Sequence, residues 1–202
     1  MSTRSIEKKA LILEKAKQVF IRKGYNGVTM KDIVEECGIS RGGLYLYYNS
    51  VDEIFMDVIE SHNDTKLKQL QVSIKDDSVF QELLDRYFQM QTERLLHMEN
   101  SLMLAMYEFF LAHKKEFNKN FFFNQFHNTK KMILEILTFG AEKGLTEQNS
   151  INKLSEMIMF VIEGLGTLAM SSGVTKELVD QQFTLLKRIV IKNPEKEQSD
   201  EK

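Results

Sequence analysis

A single cysteine, a single proline and no tryptophan narrow the possibilities for these 202 residues before any pattern is considered. Cys37 has no partner within the chain, which excludes an internal disulfide, and on an apolar helix face it reads as a small core residue. The one proline, Pro194, lies near the C-terminus, so nothing of that kind breaks a helix or forces a linker between Met1 and Asn193. His62, His97, His113 and His127 fall on different expected helices with no i, i+4 partner, the spacing a zinc site needs; no metal and no cofactor are expected. No apolar run is expected to span a membrane, and the N-terminus, M-S-T-R-S-I-E-K-K, lacks the apolar core of a signal peptide. A cytoplasmic chain without a membrane partner is therefore expected. Alternating β-branched runs are missing too, and the expected class is all-α.

What is present gathers around Thr29 to Tyr48, T-M-K-D-I-V-E-E-C-G-I-S-R-G-G-L-Y-L-Y-Y. Met30, Ile33, Val34 and Cys37 fall at i, i+3, i+4 and i+7 on one face of a short helix, and Gly38 follows where a left-handed cap stops it. Thr29 with Asp32 forms a capping box at its start. Ile39 sits in the turn, and Ser40 can accept from the free N–H groups opening a second helix from Arg41. Gly42 and Gly43 in that first turn weaken the helix, which close approach of backbone to a phosphate or a base edge would offset. The pattern is a helix-turn-helix, and such helices present their N-terminal residues to the major groove of double-stranded DNA. Arg41 is the candidate base reader, while Thr29, the N–H groups beside it and Lys31 are placed to hold a phosphate. Gly38 to Gly42 also matches G-x-S-x-G, but a nucleophile elbow needs a preceding strand, and the residues before Gly38 keep helical spacing.

The T-x-x-D-I start, the G-I-S turn, the small residues after it and the L-Y-L-Y-Y run resemble the DNA-binding segment of TetR-family transcriptional regulators. Asn49 to Phe55 is similar to the family's next helix start, with one departure: Val51 stands where the family has a lysine, which removes an implied phosphate contact. The resemblance covers about Ile6 to Lys66. It implies phosphate contacts from Thr29, Tyr45 and Tyr47, beside Ser40, Arg41, Gly42 and Gly43 at the recognition helix. It also implies a variable helical remainder; that remainder carries no catalytic motif, and no enzymatic activity is expected.

Charge divides the chain in the same sense. Residues 1–50 carry nine Lys/Arg and five Asp/Glu, a net of +4, leaving −6 for the rest, so attraction to phosphate is confined to the head. The expected division is a DNA-binding domain over 1–50, a helical effector and dimerisation domain over 51–192, and a charged tail over 193–202. Ile6, Ala10, Leu13, Ala16, Val19 and Phe20 mark a first helix ending at Gly24; Ser50 and Glu53 cap a fourth that runs past Leu70. Further helices are expected over 79–98, 101–113, 117–142, 151–171 and 176–191, with Gly140 and Gly144 closing one of them.

The body is rich in methionine and phenylalanine, and Phe121 to Phe123 point three ways around a helix, so not all can face one core. Tyr87, Met106, Tyr107, Phe109, Phe110 and Phe126 are the candidate pocket for an unknown small apolar effector. Glu108 and Glu163 interrupt apolar runs and read either as buried counter-charges or as surface residues. The last two helices carry apolar faces broad enough for two neighbours, with Gly164 and Gly166 permitting close approach. The family resemblance implies a symmetric homodimer built by these helices as a four-helix bundle, with Leu165, Leu168, Phe183 and Leu186 as its candidate interface. The expected function is a ligand-responsive repressor; the alternative is a helical small-molecule binder or enzyme with a non-functional DNA-binding head.

Overall fold

The computed structural model of the chain describes residues 3–75, 78–113 and 119–192. The expected tail 193–202 and the helix start at Phe117 lie outside them. Among the described residues run nine α-helices and no strand: α1 (Thr3–Lys23), α2 (Met30–Cys37), α3 (Arg41–Tyr45), α4 (Val51–Ser73), α5 (Phe80–Leu96), α6 (Leu102–Ala112), α7 (Lys119–Glu142), α8 (Ile151–Ser171) and α9 (Lys176–Val190). The all-α class holds.

Local chemistry sets the boundaries. Helix α1 carries Arg22 and Lys23 in its last turn and stops at Gly24, whose φ of 67° suits a residue without Cβ. Helix α4 opens with the Ser50 hydroxyl accepting from the Glu53 N–H at 3.2 Å, but the Glu53 carboxylate accepts from Asn49 N–H at 2.8 Å, one residue earlier than a reciprocal box. Of the two glycines expected to end α7, only Gly144 does so, at φ 73°. Gly140 lies inside the helix, where a Cβ would stand 2.4 Å from the Phe80 ring; its smallness lets α5 and α7 pack.

Two compact units result. The first gathers residues 1–66 with 97–125, the second 67–96 with 126–202, so α4 and α7 contribute to both. This partition differs from a boundary at residue 50, because the three head helices alone do not close a core. Ile12, Ala16, Val19, Phe20, Ile33 and Leu44 meet Ile54, Phe55 and Val58 of α4 and Ala105 and Phe109 of α6 in one cluster. The expected α1 stripe is rotated: Ile12 is fully buried, whereas Ile6 is exposed, since the first turn extends beyond that core.

In the second unit α5 packs against α8 and α9, which also pack together. One segment, Gln148–Ser171, is long and apolar enough to cross a membrane, contrary to expectation. Its polar residues, including Lys153, Glu156 and Glu163, and its face of buried Ile158, Met159, Ile162 and Leu165 suit the core helix of a packed domain.

Candidate DNA-binding and effector sites

The turn between α2 and α3 is built as its residues require. Thr29 accepts from the Asp32 N–H at 3.3 Å, and the Asp32 carboxylate accepts from the Thr29 N–H at 2.8 Å. The Thr29 hydroxyl also donates to that carboxylate at 2.7 Å, so its proton is committed inside the cap. The Lys23 ammonium, then the Thr29 hydroxyl and N–H, hold Asp32 down at about 2. Its folded value lies below the ordinary carboxylate value, so the stability it contributes is complete above about pH 4 and is lost as pH falls towards 2. Gly38 adopts φ 62°, ψ 31° and its N–H bonds back to α2, ending the helix within one residue. Cys37 beneath it is half-buried; burial first, then the Glu36 charge, pushes its thiol up and keeps it protonated.

Helix α3 starts with the Ser40 hydroxyl accepting from the Gly43 N–H at 3.1 Å. Leu44 is its one buried side chain, leaving Arg41, Gly42, Tyr45 and Leu46 exposed. The Arg41 guanidinium lies over the Tyr45 ring, 5.5 Å from its centroid, which restrains the arginine without using its hydrogen-bond donors. Tyr47 is half-buried, whereas Tyr48 is buried and donates to Asp57 at 2.9 Å as an anchor to α4.

Most cations of the head are already paired. Lys9 meets Asp57 at 2.7 Å, Arg22 and Lys15 share Glu36, Lys23 holds Asp32, and Lys31 reaches Glu35 at 3.6 Å across an open helix face. Such exposed pairs are worth little and exchange readily for phosphate, so Lys31 keeps its candidacy. Among the described residues, Arg4, Lys8, Lys17 and Arg41 have no carboxylate partner. Lys8 was not singled out by sequence, yet its ammonium comes within 4.0 Å of where a Gly43 Cβ would stand. Leu46 was passed over too, although at 82% exposure it is the most exposed large apolar side chain described. Only the fold reveals either: one through proximity of α1 to α3, the other because the L-Y-L-Y-Y run does not show which residue faces away from the core.

The two glycines separate in role. A Cβ on Gly43 would press on the Ser40 hydroxyl at 3.1 Å, whereas one on Gly42 would meet nothing within 4 Å. The free protein therefore has no use for the missing Cβ at Gly42. Gly42→Ala is expected to raise stability by about 0.5–1 kcal/mol while weakening DNA binding about tenfold or more, because the added methyl stands where backbone approaches the groove. Calorimetry with an operator titration checks this; undiminished affinity would show that the backbone keeps its distance.

The turn preceding α2 is fastened to α6. The Asn26 N–H donates to the Glu108 carboxylate at 3.0 Å, and that carboxylate occupies the space a Gly24 Cβ would need. Tyr25 donates to Asp52 at 2.5 Å, where His113 Nε2 also approaches to 3.2 Å, and its ring packs edge-on against Phe109 at 4.9 Å. Burial, reinforced by Asp52, raises the Tyr25 phenol far above its ordinary range, so it remains a donor. Glu108 is thus neither a counter-charge for a ligand nor an idle surface residue: it holds the α1–α2 turn.

The six candidate pocket residues part company. Phe109 is fully buried against Tyr25, Phe55 and Phe121, a core ring of the first unit, and Met106 packs against the same core. Tyr107 is half-buried and Phe110 half-exposed in that unit, whereas Tyr87, buried, and Phe126, half-buried, belong to the second. Of the Phe121 to Phe123 run, Phe121 is buried and Phe123 exposed, so the segment does face more than one way. An open groove of about 940 Å³ between α5 and α9, lined by Gln81, Asp85, Lys187 and Arg188 among others, contains none of the six.

The candidate interface residues differ in exposure. Leu165, Phe183 and Leu186 are buried within their own unit, Phe183 stacked on Phe88 at 4.7 Å. Leu168 is exposed as expected. Also exposed are Phe160 and Gly164 on the same face of α8, and Leu185 and Ile189 on α9. Each helix has two apolar faces, and periodicity cannot tell which of them turns inward. Among the described residues no cluster of three His, Cys, Asp or Glu side chains could hold a metal ion.

A capped two-helix reading unit, with an arginine, a tyrosine and open backbone on its outer face and a helical body attached, defines a helix-turn-helix transcriptional regulator. Comparison with known proteins gives the family. Residues 12–58 match bacterial regulatory proteins of the tetR family, and residues 83–179 match the tetracyclin repressor-like C-terminal domain. The uncharacterised HTH-type transcriptional regulator YfiR of Bacillus subtilis is 34% identical over 139 residues, 68% of this chain and 67% of YfiR. Among solved structures, reduced NemR of E. coli superposes with a TM-score of 0.72 at 14% identity, covering 93% of this chain and all of NemR. A transcriptional regulator from Saccharomonospora viridis, in complex with choline, gives 0.70 at 16% identity over 93% of this chain and all of that one. The chain belongs to the TetR family and is a DNA-binding transcriptional regulator. Regulators of this family bind operator DNA, act as dimers with small-molecule effectors, and are soluble, generally non-enzymatic proteins.

Proposed function

We propose that this regulator is a cytoplasmic repressor that binds a palindromic operator as a homodimer and leaves it when a small effector occupies the helical body. The reading unit rests on residues 1–50, and effector and dimer functions on 51–192. The observation that carries the DNA half is the outer face of α3, where Arg41, Gly42, Tyr45 and Leu46 are exposed on a helix fixed from behind by Leu44 and the Ser40 cap. Ser40, Gly43, Thr29 and Lys31 flank that face, and Tyr45 and Tyr47 offer hydroxyls to phosphate oxygens.

Glu108, Phe109 and His113 give the switching half its physical content. All three lie on or just after α6 and hold the Gly24–Asn26 turn or its Asp52 anchor, so a shift of α6 is passed to α2 and α3 as a rigid re-aiming. An effector must then bind the DNA-incompetent arrangement more tightly than the competent one, and by the same factor DNA must oppose the effector. Selection of bound duplexes from a random pool tests the reading: enrichment of an inverted repeat with half-sites about one helical turn apart is expected. A pool that stays random after repeated rounds would defeat it.

Leu46 makes one element of that operator predictable. The only apolar group on a major-groove base edge is the thymine 5-methyl, so an exposed leucine on the reading face calls for a thymine. Replacing that thymine by deoxyuridine in each half-site is expected to weaken binding about three- to fourfold per half-site, the worth of one buried methyl group. Leu46→Ala should bind more weakly and ignore the exchange. If no thymine of the selected site shows this dependence, Leu46 does not read bases.

A further inference from the structure

Helix α5 carries a row of polar side chains where a core face would be apolar. Tyr87, Gln91 and Arg94 stand at i, i+4 and i+7, hence on one side of the helix, and Tyr87 and Gln91 are 5% and 4% exposed. The Tyr87 hydroxyl, the Gln91 Oε1 and the Arg94 Nε are all buried without a hydrogen-bond partner. The Gln91 side chain stands close enough to the Tyr87 hydroxyl to oppose slightly the rise of its phenol, but neither the Tyr87 hydroxyl nor the Gln91 Oε1 has a partner in hydrogen-bond geometry. Other buried polar groups of the same unit behave differently: Thr92 donates to the Phe88 carbonyl at 3.1 Å, Ser155 to Asn152 at 2.7 Å and Thr146 to Val190 at 3.1 Å. Among the described residues of this unit, the unmet polar atoms fall on one face of one helix. An unmet buried polar atom costs stability, and a folded chain that retains three in a row is organised for something that meets them.

Their chemistry specifies the complement. Tyr87 and the Arg94 Nε–H are donors, and the Gln91 carbonyl is an acceptor. Burial first, opposed by Arg94 and reinforced by Glu163 of α8, keeps the Tyr87 phenol above its ordinary range and therefore protonated. A carboxylate would suit the donors but would face the Gln91 oxygen with no proton to give. An ammonium would satisfy Gln91 but would meet Arg94 as a like charge. A neutral hydroxyl answers both kinds, accepting from Tyr87 or Arg94 and donating to Gln91. The other buried side chains of the same stretch of α5, Leu84, Phe88 and Leu95, are apolar and suit an apolar remainder.

We propose that the Tyr87–Gln91–Arg94 row is the polar anchor of the effector site and that it selects a neutral, largely apolar molecule bearing a hydroxyl group. This rests on the reading of the chain as an effector-responsive regulator and replaces a purely apolar effector by one with a single polar handle.

Naphthalene, 2-naphthol and 2-naphthoate form a matched probe set for the full chain, titrated in a calorimeter at neutral pH. The naphthol is expected to bind about tenfold or more tighter than either of the others, since a site that hydrogen-bonds a hydroxyl rejects analogues lacking it. Tyr87→Phe and Gln91→Met should bring the naphthol affinity close to the naphthalene affinity of the same variant. Both variants should also raise the melting temperature of the ligand-free protein by removing unmet polar atoms. Equal affinity for naphthol and naphthalene, preference for naphthoate, no binding of any probe, or full naphthol preference in both variants would each overturn the proposal. So would a lowered melting temperature in both variants, which would show a satisfied structural network. Operator selection on the same preparation separates the failures. Enriched DNA without naphthol preference sinks the anchor alone, and no enriched DNA sinks the regulator reading.

Discussion

Leu168→Glu combined with Leu185→Glu is expected to leave a folded monomer whose operator affinity is lower by about 10²–10⁴, the avidity lost when two half-sites are no longer bound together. Leu168 and Leu185 are 39% and 51% exposed in the single chain, so carboxylates there reach water and cost the fold little. In a dimer closed through α8 and α9 the same carboxylates would be buried opposite one another about a two-fold axis, where each meets its own copy or an apolar neighbour such as Ile189. Gly164 lies on the same outer face of α8 with nothing within 4 Å of a Cβ, which lets a partner helix come close. Phe183→Glu is the contrasting variant: it places a charge against Phe88 inside the unit and should unfold the body. Sedimentation and mobility shift on the selected operator report both quantities. A double variant that sediments as a dimer, or a monomer that keeps wild-type operator affinity, would show that another surface brings the reading heads together.

Element boundaries were legible because each end carries its own chemistry: Thr29 and Asp32 box α2, Gly38 stops it, Ser40 opens α3 and Gly144 follows α7. Those signals are local, and one sequence is enough to read them. Decisions about facing are not local. The α1 stripe was drawn through Ile6 because periodicity continues beyond the core that α4 and α6 supply, and the core ends before that turn. Gly140 looked like a stop because its reason for existing, the Phe80 ring, lies 60 residues away. On α8 and α9 both faces are apolar, and adjacent pairs such as Leu185 and Leu186 point to opposite environments that no periodicity separates.

The site divides in the same way. Arg41, the glycines and the tyrosines are candidates because a short motif places them, and the turn that orients them is encoded within it. The nearness of Lys8 to Gly43 and the hold of Glu108 on the α1–α2 turn are not legible in the sequence, because both are contacts of tertiary origin. Phe109, expected in a pocket, is a core ring: a phenylalanine in a long aromatic run has the same signature in either place. The polar row of α5 was visible only in part, through Tyr87, since Gln91 and Arg94 look like ordinary helix surface until their burial is known.

Arg41→Ala is expected to cost operator affinity and, more tellingly, discrimination. A bidentate arginine–guanine contact is worth about 1–3 kcal/mol against the wrong base, and a symmetric dimer carries two, so the loss over a full palindrome is about 2–6 kcal/mol. The fold should not register the change, because Arg41 is exposed, holds no carboxylate among the described residues, and contributes only its contact over the Tyr45 ring. Tyr47→Phe is the control, removing one hydroxyl proposed to meet a phosphate. It should weaken all sequences about equally and leave the preferred site unchanged. Parallel selections with the wild type and the two variants make the comparison. For Arg41→Ala the enriched motif should lose information at one guanine per half-site while the melting temperature stays put. An Arg41→Ala motif identical to that of the wild type would move base reading to other residues on the face, Tyr45 and Leu46 first among them, and leave Arg41 as a phosphate contact whose removal only lowers the salt dependence of binding.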